Sequence, residues 1–314
     1  MAMKSSGFGR IGVLMGGPSS EREISFKSGK AVYESLKGLG LDVVKIDITS
    51  DKVKENTGLI RSNKIDCAFI SLHGRFGEDG GIQRVLEGLK LPYTASGVMA
   101  SQLAMDKISS RRIFEIFRLN VPRYLVLTKK GFNPGWRVVN QLSLPLVVKP
   151  ATNGSSIGLT IVDKEKDLAR AVDLAFGFDQ RILVEEYIPG REMTVGVLDQ
   201  EPLPVIEIVP KKRFFDFQAK YQHGLTEYVV PAKISKALSK KIQSVAISAH
   251  KHLGCSGCSR VDIILSKNNM PFVLEVNTVP GMTETSLLPK AASKAGINFS
   301  GLCLKLIKLA YEKT

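Results

Sequence analysis

Ser259-Arg-Val-Asp-Ile-Ile-Leu-Ser-Lys-Asn-Asn-Met-Pro-Phe-Val-Leu-Glu-Val-Asn277 is the most informative stretch of the chain. Two alternating apolar and polar runs flank Asn268-Asn269, a pair that tolerates positive φ and suits a tight hairpin turn. A hairpin centred there sets Asp262 opposite Glu275 and Arg260 opposite Asn277. Side chains alternate between the faces of a strand, so Val261, Ile263 and Leu265 are expected opposite Val276, Leu274 and Phe272 on one apolar face. The other face then carries Arg260, Asp262, Glu275 and Asn277. Two carboxylates and an amide make an oxygen-rich cluster suited to a hard divalent cation such as Mg²⁺, which also binds phosphate oxygens. A solvated ion pair between Arg260 and the acids is the plainer alternative.

Upstream, several features suit a nucleoside triphosphate. Lys149 ends the apolar strand that begins at Pro145, where its ammonium can reach phosphate from a dry wall, and Lys107 lies in a helical run around Met105 to Phe117. The loop Asn153 to Gly158 is built of small residues that let backbone N–H groups approach phosphates closely. After a helix near Lys164 to Ala175, the run Ile182 to Ile188 is apolar and then acidic. Strands follow at Glu192 to Leu198 and Leu203 to Val209, with a helix at Ser235 to Leu253. The polar connection from Pro210 to Tyr228 is long for a structureless loop, which marks a lid.

The first hundred residues alternate short apolar runs with amphipathic stretches, the pattern of a parallel sheet flanked by helices. Strands are expected at Ile11 to Met15, Asp42 to Ile48 and Asp66 to Leu72, with a helix from Glu21 onward. Ligands bind beyond the carboxyl ends of such strands, so the turns near Gly16 and His73 are candidate site segments. Gly7-Phe-Gly9-Arg-Ile-Gly12 has dinucleotide-fingerprint spacing but precedes the first strand instead of following it. No Walker-type phosphate loop occurs.

With 314 residues, 44% hydrophobic and 24% charged, the chain can bury two or three separate cores. That excludes a disordered or disulfide-stapled chain. The four cysteines are scattered, Cys255-Ser-Gly-Cys258 lacks the second ligand pair of a zinc site, and no run approaches the roughly 18 apolar residues of a membrane span. A cytoplasmic protein with no membrane partner is expected. The net charge of +14 is carried by lysines spaced along helix faces without a basic block, so no nucleic-acid partner is expected either.

GGPSSEREIS (16–25), LHGRFGEDG (72–80), YTASGVMASQLAMDK (93–107), VVKPATNGSSIG (147–158), AKY (219–221), GCSRVD (257–262) and LEVNTVPGMTETSL (274–287) follow one another in an order that resembles the D-alanine:D-alanine ligases of the ATP-grasp superfamily. The resemblance implies a mixed α/β and α+β ATP-grasp fold. Its parts would be an N-terminal parallel-sheet domain (1–103), a central domain (104–188) and a C-terminal domain (189–314) with a lid at about 210–228, the last two clasping ATP.

It further implies phosphorylation of one D-alanine by ATP and attack on the acyl phosphate by the amine of a second, for peptidoglycan precursor synthesis by a homodimer. Asp262, Glu275 and Asn277 would hold two Mg²⁺ ions, which Mn²⁺ could replace. Lys107, Lys149 and Lys220 would bind phosphates, Glu185 and the backbone at Ile188 the adenine, and Glu192 the ribose. Glu21, His73 and Ser155 would shape the first amino-acid subsite, with Tyr221 closing over it. Arg260 and the Gly281 N–H would stabilise the oxyanion, while Ser286 and the backbone of Leu287 would hold the second carboxylate. The Lys220-Tyr221 pair resembles enzymes that take D-alanine rather than D-lactate as second substrate; D-lactate or D-serine is the alternative. Phe217, Gln218, Glu186 and Val279 depart from the family pattern.

Overall fold

A computed structural model of the chain describes residues 7–130, 141–211 and 226–313. Its first unit is a parallel sheet of β1 (Ile11–Gly16), β2 (Val43–Ile48) and β3 (Cys67–Ile70) in the order β2-β1-β3. The helices α1 (Arg22–Gly38), α2 (Val53–Ser62) and α3 (Gly81–Gly88) belong to this unit. Period-two alternation divides β1 between two cores. Ile11, Val13 and Met15 pack with Val32 and Leu36 of α1, whereas Leu14 packs with Ile60, Ile82 and Leu86 from the other two helices.

A separate helix, α4 (Val98–Met105), precedes the helical run expected around Met105 to Phe117, which is α5 (Lys107–Ile116). Asp106 separates them. Its backbone is extended and its carboxylate accepts from Ile108 N and Ser109 N, the bonding of a helix N-cap. Lys107 is thereby fixed at the start of α5. The division expected at residue 103 falls inside α4.

Next come two antiparallel sheets. In the first, β4 (Tyr124–Thr128), β5 (Leu146–Pro150), β6 (Thr160–Val162) and β7 (Arg181–Glu186) run in the order β4-β7-β5-β6 and pack on α6 (Leu168–Phe176). In the second, β8 (Gly190–Leu198), β10 (Ile206–Pro210), β11 (Thr226–Val229), β12 (Cys258–Ser266) and β13 (Pro271–Asn277) run in the order β11-β10-β8-β12-β13, with the short β9 (Glu201–Pro202) beside β8. Their apolar face covers α7 (Lys236–His252). The closing helices α8 (Leu287–Lys294) and α9 (Phe299–Glu312) return to the first unit, where Leu302, Leu306 and Ile307 share a core with Ile11, Val13 and Phe69. The chain therefore ends packed on its own first sheet.

The β12–β13 hairpin pairs Asp262 with Glu275 and Arg260 with Asn277 as expected, but by a different route. Its turn is longer than an Asn-Asn pair: Ser266 N donates to Met270 O, and Asn269 carries the positive φ of 55°. Near the turn Ile263 therefore pairs with Val273 and Leu265 with Pro271, not with Leu274 and Phe272. A bulge then inserts Leu274 and restores the expected pairing from Asp262 onward. Phe272 and Leu274 accordingly leave the buried face, which holds Val261, Ile263, Leu265, Val273 and Val276.

Phe69 is 1% exposed in the core shared by the first sheet and the closing helices. Phe69→Ala should cost about 3–5 kcal/mol, the usual range for deleting a buried aromatic ring, measured as a lowered urea midpoint.

Candidate active site

Three cavities lie in series along the cleft between the two antiparallel sheets and the first unit. The outer one, about 280 Å³, is lined by Val147, Glu185, Ile188, Glu192, Ile208 and Leu274 among others. A narrow middle one of about 80 Å³ shares Lys149, Glu192 and Leu274 with it and adds Lys107, Ser156, Asp262 and Glu275. The inner one, about 400 Å³, takes in Lys107 and Glu275 again and is lined by Glu21, His73, Ser155, Arg260, Asn277, Gly281, Ser286 and Leu287. Every expected site residue within the described set lines one of the three. Lys220, Tyr221 and most of the expected lid lie outside the described residues.

A buried ionic cluster forms the floor between outer and middle cavities. Val147 pairs with Glu185 across β5 and β7, so Lys149, two residues along, shares the face of Glu185. Its Nζ lies 2.5 Å from Glu185 Oε1, while Arg111 donates to Oε2 at 3.0 Å. Burial alone pushes the Glu185 carboxyl up, but the two cations outweigh it and hold its pKa below the ordinary value. Burial holds the Lys149 pKa below its ordinary value, although Glu185 opposes this.

Beside it stands the polar face of the hairpin. Arg260 grips Asp262 with two bonds, Nε to Oδ1 at 2.9 Å and a terminal nitrogen to Oδ2 at 2.8 Å. Thr194, directly opposite Asp262 on β8, also donates to Oδ1, at 2.7 Å. Glu275 Oε2 lies 3.7 Å from Lys107 Nζ, which donates at 2.7 Å to the carbonyl of Asn153 in the small-residue loop. Asn277 Oδ1 accepts from Val279 N at 2.9 Å. A carboxylate offers about four lone-pair sites, so the bonds to Asp262 leave acceptor capacity. The donor set, two carboxylates and an amide oxygen on one face, is of the chemistry that fits a hard cation.

The inner cavity draws on all three units. Glu21 stands at the start of α1 without capping it through its side chain; the carboxylate accepts instead from Ser155 Oγ, in a loop where Ser155 and Ser156 both have positive φ. Gly74 (φ 71°) passes so close that a Cβ there would lie 2.7 Å from Glu21 Oε2. His73 is buried, with Nε2 3.1 Å from Ser28 Oγ, which in turn accepts from Met282 N at 3.2 Å. Glu78, 3.4 Å from the other ring nitrogen, has its pKa raised by burial and by Glu21, although His73 opposes this. Ser286 precedes α8 without capping it; its Oγ accepts from Thr283 N at 3.1 Å. The helix sits close because β8 carries Gly196, where a Cβ would come within 2.7 Å of Leu288 Cδ1.

The family described as D-ala D-ala ligase N-terminus matches residues 50–96, and D-ala D-ala ligase C-terminus matches residues 113–308. A D-alanine--D-alanine ligase of Pelotomaculum thermopropionicum is 47% identical over 312 residues, covering 96% of this chain and 97% of the relative. The chain belongs to the D-alanine--D-alanine ligase family. Among solved structures, the Bacillus anthracis D-alanine--D-alanine ligase complexed with ATP superposes with a TM-score of 0.85 at 32% identity, over 97% of this chain and 98% of that one. VanG D-Ala:D-Ser ligase of Enterococcus faecalis gives 0.83 at 30% identity, over 97% and 100%. The fold class is therefore the ATP-grasp class expected from the sequence, and the chain is a ligase.

Several residues of this ligase's cleft escaped sequence reading. Arg111 looks like one more basic residue of an amphipathic helix, yet it is fully buried. Thr194 is found only once β8 is known to lie beside β12. Ser28 and Glu78 flank His73, and only their burial singles them out. Tyr228, the end of the expected lid, lines the inner cavity. The departures from the family pattern find local partners: Glu186 Oε1 accepts from Ser143 N and Arg123, and Val279 is buried in the core of the first unit. Cys255 and Cys258 are free thiols, both pushed up to about 12 chiefly by burial.

Glu185→Gln should destabilise the protein by about 3–5 kcal/mol at neutral pH, because Lys149 and Arg111 would lose their buried counter-charge. A depressed carboxyl pKa contributes stability above the ordinary value of 4.5, and this is lost as pH falls through the depressed one. Urea melts at stepped pH should show parent and variant converging only in that acidic window.

Proposed function

We propose that the chain joins two D-alanines into D-alanyl-D-alanine at the expense of ATP, supplying a peptidoglycan precursor. The observation carrying this reading is the shared face of Arg260, Asp262, Glu275 and Asn277, where the middle and inner cavities meet. The apolar outer cavity suits adenine, with Glu185 and the backbone at Ile188 at its edge and Glu192 placed for the ribose. Lys149 and Lys107, joined by Lys220, then receive the phosphates.

A carboxylate is a poor electrophile, so it is activated first. An oxygen of the first D-alanine carboxylate attacks the γ-phosphorus, the bond to ADP breaks, and an acyl phosphate results. Glu21 holds the ammonium of this amino acid and, with Ser155 and His73, fixes its orientation, and Tyr221 covers it. The amine of the second D-alanine, having given up a proton, attacks the acyl carbon, and inorganic phosphate leaves as the amide forms. Arg260 and the Gly281 N–H donate to the tetrahedral oxyanion. Ser286 and the N–H of Leu287 hold the second carboxylate at the first turn of α8, where exposed N–H groups favour anions. Asp262, Glu275 and Asn277 would hold two Mg²⁺ ions, supplying positive charge to the β- and γ-phosphate oxygens.

Within this reading the domains are 1–103, 104–188 and 189–314, each containing one of the sheets, with a lid at 210–228. A cytoplasmic homodimer completes it. Four free cysteines suit a reducing compartment, and among the described residues no helix is long and apolar enough to cross a membrane.

ADP release should require D-alanine and Mg²⁺ and fail with L-alanine. No turnover with D-alanine alone, but turnover once D-serine or D-lactate is added, would transfer the assignment to a mixed-substrate ligase. Arg260→Ala should lower turnover by about 10²-fold or more, the scale of losing one oxyanion donor, with the circular dichroism spectrum unchanged. Near-parental turnover would remove Arg260 from the reaction.

A further inference from the structure

Arg111 heads the fully buried side chains of the described residues, and the proposed reaction does not use it. One of its terminal nitrogens donates to two consecutive carbonyls of β13, Val273 at 2.6 Å and Leu274 at 2.7 Å. In a regular strand consecutive carbonyls point in opposite directions, so a single nitrogen reaches both only where the ladder is broken. The break is the bulge at Leu274. Had the pairing of Ile263 with Val273 continued unbroken, Asp262 would face Leu274 and Glu275 would face Val261, turning the Glu275 carboxylate into the apolar core. With the bulge, Leu274 and Glu275 both line the middle cavity.

The other terminal nitrogen of Arg111 donates to Glu185. β13 ends its sheet, and its outer edge is also met by Asn120, whose carbonyl accepts from Val273 N at 2.8 Å. Thus α5 and the segment after it clamp the bulged stretch of the hairpin.

We propose that Arg111 is a positioning residue for metal binding: by holding the Val273 and Leu274 carbonyls it fixes the bulge that turns Glu275 to the side of Asp262. By holding Glu185 it ties that register to Lys149. The inference rests on Asp262, Glu275 and Asn277 being the metal ligands. Lysine cannot replace Arg111 here, because one ammonium lacks the planar fork that serves both the carbonyls and Glu185.

The test is Mn²⁺ binding to the full chain in the presence of ADP, followed by the electron paramagnetic resonance of free Mn²⁺. Arg111→Lys should raise the Mn²⁺ Kd by about 10–100-fold, the usual effect of losing a residue that orients a metal ligand, while the KM for D-alanine stays near the parental value. Phe114→Leu loosens the same helix but leaves the guanidinium in place, and it should keep the parental Mn²⁺ Kd. Parental Mn²⁺ affinity in Arg111→Lys, or equal weakening in Phe114→Leu, overturns the inference alone. Failure of the parent to bind Mn²⁺ overturns the metal reading and the inference with it. Amide exchange on the parent decides the matter even if Arg111→Lys does not fold: peptides spanning 271–277 should be protected before metal is added, and protection gained only with ADP and Mn²⁺ counts against a bulge set by Arg111.

Discussion

Placing Lys149 and Arg111 around the single carboxylate of Glu185 is the constraint on which the cleft depends. Burying three ionised groups is expensive, and the two contacts to Glu185 offset that cost only while all three hold their geometry. The cluster joins α5, β5 and β7, so it fixes the floor of the outer and middle cavities together. Lys149 borders the space where the proposed reaction puts a triphosphate, across from the Glu192, Asp262 and Glu275 carboxylates. In a low-dielectric wall such charge acts more strongly than it would on a solvated surface.

Much of the architecture was legible because it follows from side-chain periodicity. Parallel strands covered on both faces read as continuous apolar runs, and Ile11 to Met15 and Cys67 to Ile70 are such runs. The hairpin was legible through alternation, and the pairing of Asp262 with Glu275 was reached correctly. Yet the two irregularities that produce it, a longer turn and an inserted Leu274, cancel in the register and are invisible to a period-two argument. What stabilises the second of them is a guanidinium 162 residues distant in sequence. No local pattern carries that information, since Arg111 is separated from Val273 by most of two sheets.

The same division applies to the site. Lys149 was legible as a lysine closing an apolar strand, from which its ammonium can reach phosphate, and Lys107 as a member of a helical run and the last residue of the motif at 93–107. The roles of Glu21, His73 and Ser286 were reached through the family resemblance and not through any local pattern of their own. Ser286 stands at a helix start without capping it through its side chain, and the Glu21 carboxylate is engaged by Ser155. Ser28 and Glu78 could not be singled out, because their contact with His73 depends on α1 and the turn after β3 being brought together by the parallel sheet.

The serial arrangement of the cavities also bears on how the reaction avoids waste. An outer cavity with largely apolar walls, a narrow neck that sets Lys107 and Lys149 among the Glu192, Asp262 and Glu275 carboxylates, and an inner cavity of mixed charge match, in order, a base, a phosphate chain with its cations, and two zwitterionic amino acids. The neck is shared on one side by Lys149 and Glu192 and on the other by Lys107 and Glu275. In the proposed reaction a γ-phosphate reaching through it meets the first carboxylate at the inner end of the neck. An acyl phosphate formed there is walled by Ser155 on the central unit, Glu21 on the first and Arg260 on the last. In the proposed reaction, the packing of α8 and α9 on the first sheet then holds the subsite of the second amino acid against that of the first.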